Sequence, residues 1–330
     1  MSKSGAFSYA FIVEYPLFEE FCYGKEEIAM IKSARIAIMG GDERQIYMAR
    51  AMAHQGWKIY VWGLGACASR VSPALAVDSY EEALANADII LLPLPASTDS
   101  VHVNCPMKLQ AALRLTTLVE VGHADMILGG KLPPALCARG AERGIRMIDY
   151  YDDEILQIRN AVPTAEGALA IAMRELPVVL DGIYAAVIGY GRIGTVLADK
   201  LTALGSHVYL YARKQRDLTR AAQRHLIPMR ITERDVQKPL LHVPKNCRVI
   251  FNTVPHPLFD EEVLQTLPKE CLYIDLASAP GGIDWAAATR LGIRTVWGTA
   301  LPGKCTPESA GEILAQTVDE ILNTEGVTIC

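Results

Sequence analysis

The 330-residue chain has no uncharged apolar run of about 18 residues, so no segment reads as a membrane-spanning helix. None of its 8 cysteines forms a CxxC pair or a Cys/His ligand spacing. Scattered at positions 22, 67, 105, 137, 247, 271, 305 and 330, they read as reduced structural thiols, with no metal site and no disulfide framework. A long basic run is also missing, and a net charge of −5 argues against nonspecific nucleic-acid binding. Near the N-terminus, Glu14 and Pro16 interrupt the apolar stretch too early for a secretory core. What remains is a chain that is 51% apolar and 21% charged. Such a chain folds around a core and is long enough for two ordinary domains.

One segment carries most of the information. Ala185-Ala-Val-Ile-Gly189-Tyr190-Gly191-Arg192-Ile193-Gly194 runs from a buried strand through a glycine turn into a helix. Gly189 permits the turn, Gly191 lets backbone approach a pyrophosphate, and Gly194 lets helix and strand pack closely. The helix N-terminus then offers N–H groups and a positive dipole end to phosphate. The next strand ends in Tyr211-Ala212-Arg213-Lys214, where NAD-binding folds usually hold an acid for the ribose hydroxyls. Arg213 lies nineteen positions after Gly194, close to the ~20 expected. Two cations there suit a 2′-phosphate, so the residues favour NADP over NAD. The competing reading makes them solvated loop charges.

Strand and helix patterns alternate along the whole chain, which predicts two tandem parallel-sheet α/β domains with linking helices around a cleft. In the first, strands are expected at 35–39, 58–62, 88–92, 117–121 and 145–149, with helices ending at 55 and near 79–85. In the second, strands are expected at 185–188, 207–211, 249–253, 272–276 and 294–297, with helices at 193–204, 216–225, 261–267 and 285–291. The expected division is a substrate-side domain at 1–155, its extension at 1–31, a linking helix at 156–180 capped by Thr164, a Rossmann NADP-binding domain at 181–304, and a helix at 305–330 returning toward the first domain.

Ligands of parallel sheets bind beyond the carboxyl ends of strands. Small-residue loops at such ends nominate Thr253, Val254, Pro255, Ala277, Ser278, Leu301 and Pro302 for cofactor contact. Arg44, Ser97, Thr98 and Lys304 are the candidates for binding carboxylates, although Arg44 could instead pair with Asp42 or Glu43. His123, placed after the expected strand 117–121, is the nominated proton acceptor, with water and His256 as alternatives. The acidic group Asp149, Asp152, Asp153 and Glu154 reads as a solvated turn.

Gly40-Gly-Asp-Glu-Arg44, Pro93-Leu-Pro95-Ala-Ser97, Pro163-Thr-Ala-Glu-Gly167, Gly189-Tyr-Gly-Arg-Ile-Gly194, Asp275-Leu-Ala-Ser-Ala-Pro-Gly-Gly282 and Leu301-Pro-Gly-Lys304 together resemble the dipicolinate synthase A-subunit family of spore-forming bacteria. The resemblance runs from about residue 32 to 322. The Rossmann part alone is also similar to S-adenosylhomocysteine hydrolase and 2-hydroxyacid dehydrogenases. The family implies an oxidoreductase that makes pyridine-2,6-dicarboxylate from dihydrodipicolinate or its hydrated precursor in the mother-cell cytoplasm, partnered by the flavoprotein-like B-subunit of dipicolinate synthase. Homo-oligomers are also compatible with it. Other readings are a 2-hydroxyacid or shikimate-type dehydrogenase, or a non-catalytic NADP-binding scaffold for that partner.

Overall fold

The computed structural model describes residues 34–108, 112–235 and 238–327; the extension at 1–31 lies outside them. β1 (Arg35–Met39) is followed by α1 (Glu43–His54), β2 (Lys58–Trp62), β3 (Leu75–Ala76), α2 (Tyr80–Ala85), β4 (Ile89–Leu91), α3 (Leu115–Glu120), β5 (Met126–Gly129), α4 (Pro134–Glu142) and β6 (Arg146–Asp149). These strands form one six-stranded sheet in the order β3-β2-β1-β4-β5-β6. Ile38, Leu91 and Leu128 face one buried layer while Ala37, Ile90 and Ile127 face the other. Covered on both sides, the central strands have to be apolar throughout, as they are.

α5 (Glu154–Glu175) leads to β7 (Tyr184–Ile188), α6 (Arg192–Ala203), β8 (His207–Ala212), α7 (Gln215–Gln223) and β9 (Ile227–Arg230). A two-stranded hairpin of β10 (Thr232–Asp235) and β11 (Lys238–Leu240) intervenes, which the sequence pattern does not announce. Then come β12 (Cys247–Asn252), α8 (Glu261–Thr266), β13 (Leu272–Asp275), α9 (Trp285–Arg290), β14 (Arg294–Trp297), α10 (Leu301–Cys305) and α11 (Pro307–Thr324). The second sheet also has six strands, ordered β14-β13-β12-β7-β8-β9. Both sheets reverse direction beside their first strand, between β1 and β4 and between β7 and β12. Ligands of open α/β sheets collect at such switch points.

Two expectations are corrected. Residues 117–121 are not a strand. Leu115–Glu120 is helical, with Leu118 and Val119 buried under the sheet. Its apolar, β-branched run looks strand-like, but a parallel connection between β4 and β5 needs a covering helix, and packing overrides propensity. Thr164 does not cap the linking helix either. Asp153 does, accepting from the Leu156 N–H, and Thr164 lies a turn past Asn160, donating its hydroxyl to that carbonyl at 2.7 Å. Pro163 is accommodated inside this 22-residue helix.

Three elements join the sheets. Leu156, near the start of α5, packs in the first core, whereas Ala165, Ala168, Leu169 and Ala172 pack in the second. α10 rests against α5, where a methyl on Gly167 would come within 2.8 Å of Leu301 Cβ. α11 returns to the first sheet and contributes Leu314, Ala315, Val318 and Leu322 to its core. The return is fixed by Trp57 Nε1 donating to Asp319 at 2.9 Å, and by Arg159–Glu320 at 3.0 Å. Among the described residues no helix is long and apolar enough to cross a membrane.

Candidate functional site

The glycine turn after β7 shows in atoms why each glycine is there. Gly189 has φ +97, and a side chain on it would strike Thr253 Oγ1 at 2.5 Å. At Gly194 an added methyl would lie 2.1 Å from the Gly189 carbonyl oxygen, so only glycine lets α6 start this close to the strand. Around Gly191, in contrast, no atom lies within 4 Å of where a methyl would be. Gly191 is also the N-cap of α6 and leaves the helix without a side-chain cap. A free helix N-terminus beside open backbone is the cradle a pyrophosphate needs. Tyr190 and Ile193 pack against the second core, with the Arg220 guanidinium 5.8 Å above the Tyr190 ring. Arg192 turns away to Glu154 at the start of α5.

Arg213 and Lys214 follow β8 directly and are exposed. Neither side chain has an acidic partner among the described residues. Arg230, paired across from Ala212 on β9, donates to the Arg213 carbonyl and adds a third cation. This corner of the second sheet is therefore positive, with no described carboxylate neutralising Arg213 or Lys214.

The remaining loops at this edge are organised by a buried polar network. Asp275 and Asn252 end adjacent strands and are fully buried. Asp275 accepts from Asn252 Nδ2 at 3.0 Å, from the Ala277 N–H at 3.0 Å and from the Gly282 N–H at 2.7 Å. Asn252 in turn donates to the Val254 carbonyl and accepts from the Val254 N–H. The pair thus fixes loop 253–255 and loop 276–282 together. Burial and the Asp275 charge push the Tyr273 phenol well up, so it stays a neutral donor to Asp275. Thr253 donates to the Ile188 carbonyl at 2.8 Å, Ala277 is buried, and Ser278 and Pro255 are exposed.

In the first sheet the matching turn is closed. Gly40 and Gly41 donate to Trp62 and Asn104 carbonyls, both at 2.8 Å. Asp42 and Gln45 form a complete capping box on α1. A methyl on Gly40 would strike Cys105 Sγ at 2.5 Å. Segment 103–105 therefore occupies the place a dinucleotide would need. Arg44 is only 6% exposed and forks onto Asp42 through Nε and Nη2, each at 2.8 Å, while Nη2 also reaches the Leu94 carbonyl at 2.6 Å. The pair with Asp42 is thus real, with the guanidinium buried and Asp42 half-buried, and it leaves Nη1 without a partner among the described residues. Gly303 of α10 passes so near that a methyl there would sit 2.9 Å from both Arg44 Nε and Asp42. The Arg44–Asp42 pair consequently stands at the seam between the first sheet and α10. Lys304, one residue on, is exposed with only Thr299 near its ammonium, at 3.5 Å.

Ser97 and Thr98 lie in the long loop after β4. Thr98 is exposed, and the Ser97 hydroxyl donates to Asp99 at 3.1 Å. His123 lies elsewhere. Since 115–120 is helical, His123 precedes β5 and stands at the amino edge of the first sheet, opposite the strand ends that carry Arg44 and Ser97. It cannot reach a ligand held at the carboxyl edge. His256 does follow a strand end, β12, and is exposed. Asp149 ties its own turn by accepting from the Lys131, Leu132 and Tyr151 N–H groups. A histidine missed by the sequence reading, His102, lies in the Ser97 loop with Nδ1 2.7 Å from Asp99. The available signal is the Asp-x-x-His spacing in Asp99–His102. No group of three or more His, Cys, Asp or Glu among the described residues is arranged to hold a metal.

Residues 35–151 match the family model for the N-terminal domain of the dipicolinate synthase A-subunit. Over 294 residues the chain is 28% identical to the dipicolinate synthase A-subunit of Bacillus subtilis (strain 168), covering 89% of this chain and 97% of that one. The crystal structure of the dipicolinate synthase A-subunit from Bacillus halodurans superposes with a TM-score of 0.76 at 26% identity, covering 89% of this chain and 99% of that one. A transhydrogenase from Sinorhizobium meliloti shares the fold, with a TM-score of 0.63 at 15% identity over 89% of this chain and 95% of that one.

Proposed function

We propose, from its similarity to dipicolinate synthase A-subunits, that the chain belongs to that family and is the NADP-dependent oxidoreductase component that converts dihydrodipicolinate, or its hydrated precursor, to pyridine-2,6-dicarboxylate. One observation carries the reading: the glycine turn is open at Gly191, at a sheet switch point, with Arg213 and Lys214 unpaired nearby among the described residues. A nicotinamide dinucleotide, when bound, supplies the hydride acceptor.

The chain's own residues bind and orient. The first-turn N–H groups of α6 hold the pyrophosphate, and Arg213 and Lys214 hold the 2′-phosphate. Loops 253–255 and 277–278 would flank the nicotinamide, whereas Leu301 and Pro302, expected to share that role, are buried, Leu301 in the second core. The shape of the two loops is set by the Asn252–Asp275 network, so little reorganisation accompanies binding. Thr98, Lys304 and the free Nη1 of Arg44 are the groups for two substrate carboxylates, the Ser97 proton being engaged by Asp99. Oxidation yields an aromatic ring, which supplies driving force, so positioning is the larger part of the protein's task.

The protein works with the flavoprotein-like B-subunit in the cytoplasm of a sporulating cell. The test gives the purified chain NADP and dihydrodipicolinate, with and without that partner. NADPH formation together with the ultraviolet absorbance of the aromatic product supports the reading. No turnover in either case, despite NADP binding, replaces the enzyme with a scaffold.

A further inference from the structure

We infer that His102, held by Asp99, is the group that accepts the ring proton during the oxidation; this rests on the function proposed above. Asp99 is clamped before the imidazole is considered. Its carboxylate accepts from the Val101 and His102 N–H groups, each at 2.8 Å, and from the Ser97 hydroxyl at 3.1 Å. Oδ2 then takes the His102 Nδ1–H at 2.7 Å. An imidazole whose Nδ1 proton is engaged by a fixed carboxylate is locked in the tautomer that leaves the Nε2 lone pair free. Ser97 donates to Asp99 and not to His102, so the set lacks an activated nucleophile and serves proton transfer only.

The place is right as well. The dyad lies on the loop between β4 and α3, at the carboxyl edge of the first sheet. The same loop packs on the Gly40–Gly41 turn through Asn104, and its Leu94 carbonyl holds Arg44 at the seam with α10. Strand-like pairing of residues 101–103 with 113–115 holds the stretch that carries His102, with Val103 N–H donating to the Leu113 carbonyl. His102 is 38% exposed in its side chain, open enough to meet a ligand. Among the described residues, Asp99 is the charged group in contact with the imidazole, and Arg114 is the backbone partner of His102 across an antiparallel bridge.

In the step, a ring proton leaves to Nε2, and the electron pair of the broken bond enters the ring as its last double bond. The accompanying hydride is the two-electron loss to the oxidised nicotinamide dinucleotide of the proposed reaction. Asp99 acts through His102 and is a positioning residue.

The first test needs no turnover. In ¹⁵N-histidine-labelled full-length protein, with His102→Gln identifying the resonance, the neutral imidazole should be the Nδ1–H tautomer, and Asp99→Asn should abolish that preference. A neutral His102 protonated at Nε2 overturns the proposal. The second test is kinetic. His102→Gln should lower kcat by roughly 10²–10⁴-fold and leave NADP affinity unchanged. Wild-type kcat in His102→Gln would overturn the assignment while leaving the oxidoreductase intact. A wild-type protein without turnover defeats the oxidoreductase reading itself, and the proton-transfer role with it.

Discussion

Gly194 and Arg213 make opposite demands on the residues that replace them. At Gly194 the Gly189 carbonyl oxygen blocks any side chain, so Gly194→Ala has to push α6 off the strand. Overpacking of this kind costs about 1–3 kcal/mol, and denaturant unfolding should show it together with a loss of NADP affinity. Arg213 is exposed, and its substitution should be silent for folding. Arg213→Asp should weaken NADP binding roughly 10- to 100-fold, the worth of a charge-assisted contact, and leave NAD binding equal or better by calorimetric titration. Equal losses for both cofactors would remove the 2′-phosphate assignment. Asp99 titrates in a predictable direction. The His102 N–H, the His102 imidazole and the Val101 N–H hold its carboxyl below the usual carboxylate range. A folded-state pKa that is depressed contributes stability above the unfolded value, near ~3.9, and loses it as pH falls through the folded one. Order in the 97–103 loop, followed by amide exchange, should therefore persist through mildly acid pH and fade below about pH 4, whereas Asp99→Asn should loosen it at neutral pH.

At the scale of elements, close approach between α1 and α11 depends on one small residue. A methyl on Gly311 would meet the Arg44 carbonyl at 2.5 Å and Tyr47 Cβ at 2.7 Å. Gly311→Ala should cost about 1–3 kcal/mol in thermal or denaturant unfolding, while Gly144→Ala, with no atom within 4 Å but φ +73, tests backbone strain by itself. The strands and helices around the glycine turn are readable in the sequence because the turn constrains backbone, and backbone constraints leave glycine at fixed spacing. α3 is misread because Leu118-Val-Glu-Val121 is short, and a short apolar run fits a strand or a buried helical turn equally well. That error carries His123 to the wrong edge. The Asp99–His102 pair leaves one weak trace, its Asp-x-x-His spacing, and is otherwise hidden for a different reason: the loop that carries it is held by Val103 meeting Leu113, a contact no local pattern encodes. The buried Asn252–Asp275 bond is equally hidden, since both residues read as ordinary strand-end polar groups.

At the scale of the molecule, the two sheets are not beads on a string. α5 donates side chains to both cores, and α11 takes the chain back from the second sheet into the first. Calorimetry should accordingly show one cooperative transition and not two separated ones. Removal of residues 306–330 should strip Leu314, Val318 and Leu322 from the first core and cost several kcal/mol, as each large core side chain is worth about 2–5. Circular dichroism and limited proteolysis would report unfolding that begins at β1–β6, and a truncated chain as stable as the whole would refute the coupling. The return of α11 also has a temporal side. A ribosome releases β1 early and α11 after every strand of both sheets, so the half made first stays unfinished until the half made second has emerged. Nascent β1–β6 must wait with its seat for Leu314 and Val318 uncovered, and a chaperone that shields that seat during synthesis would govern the yield of finished protein.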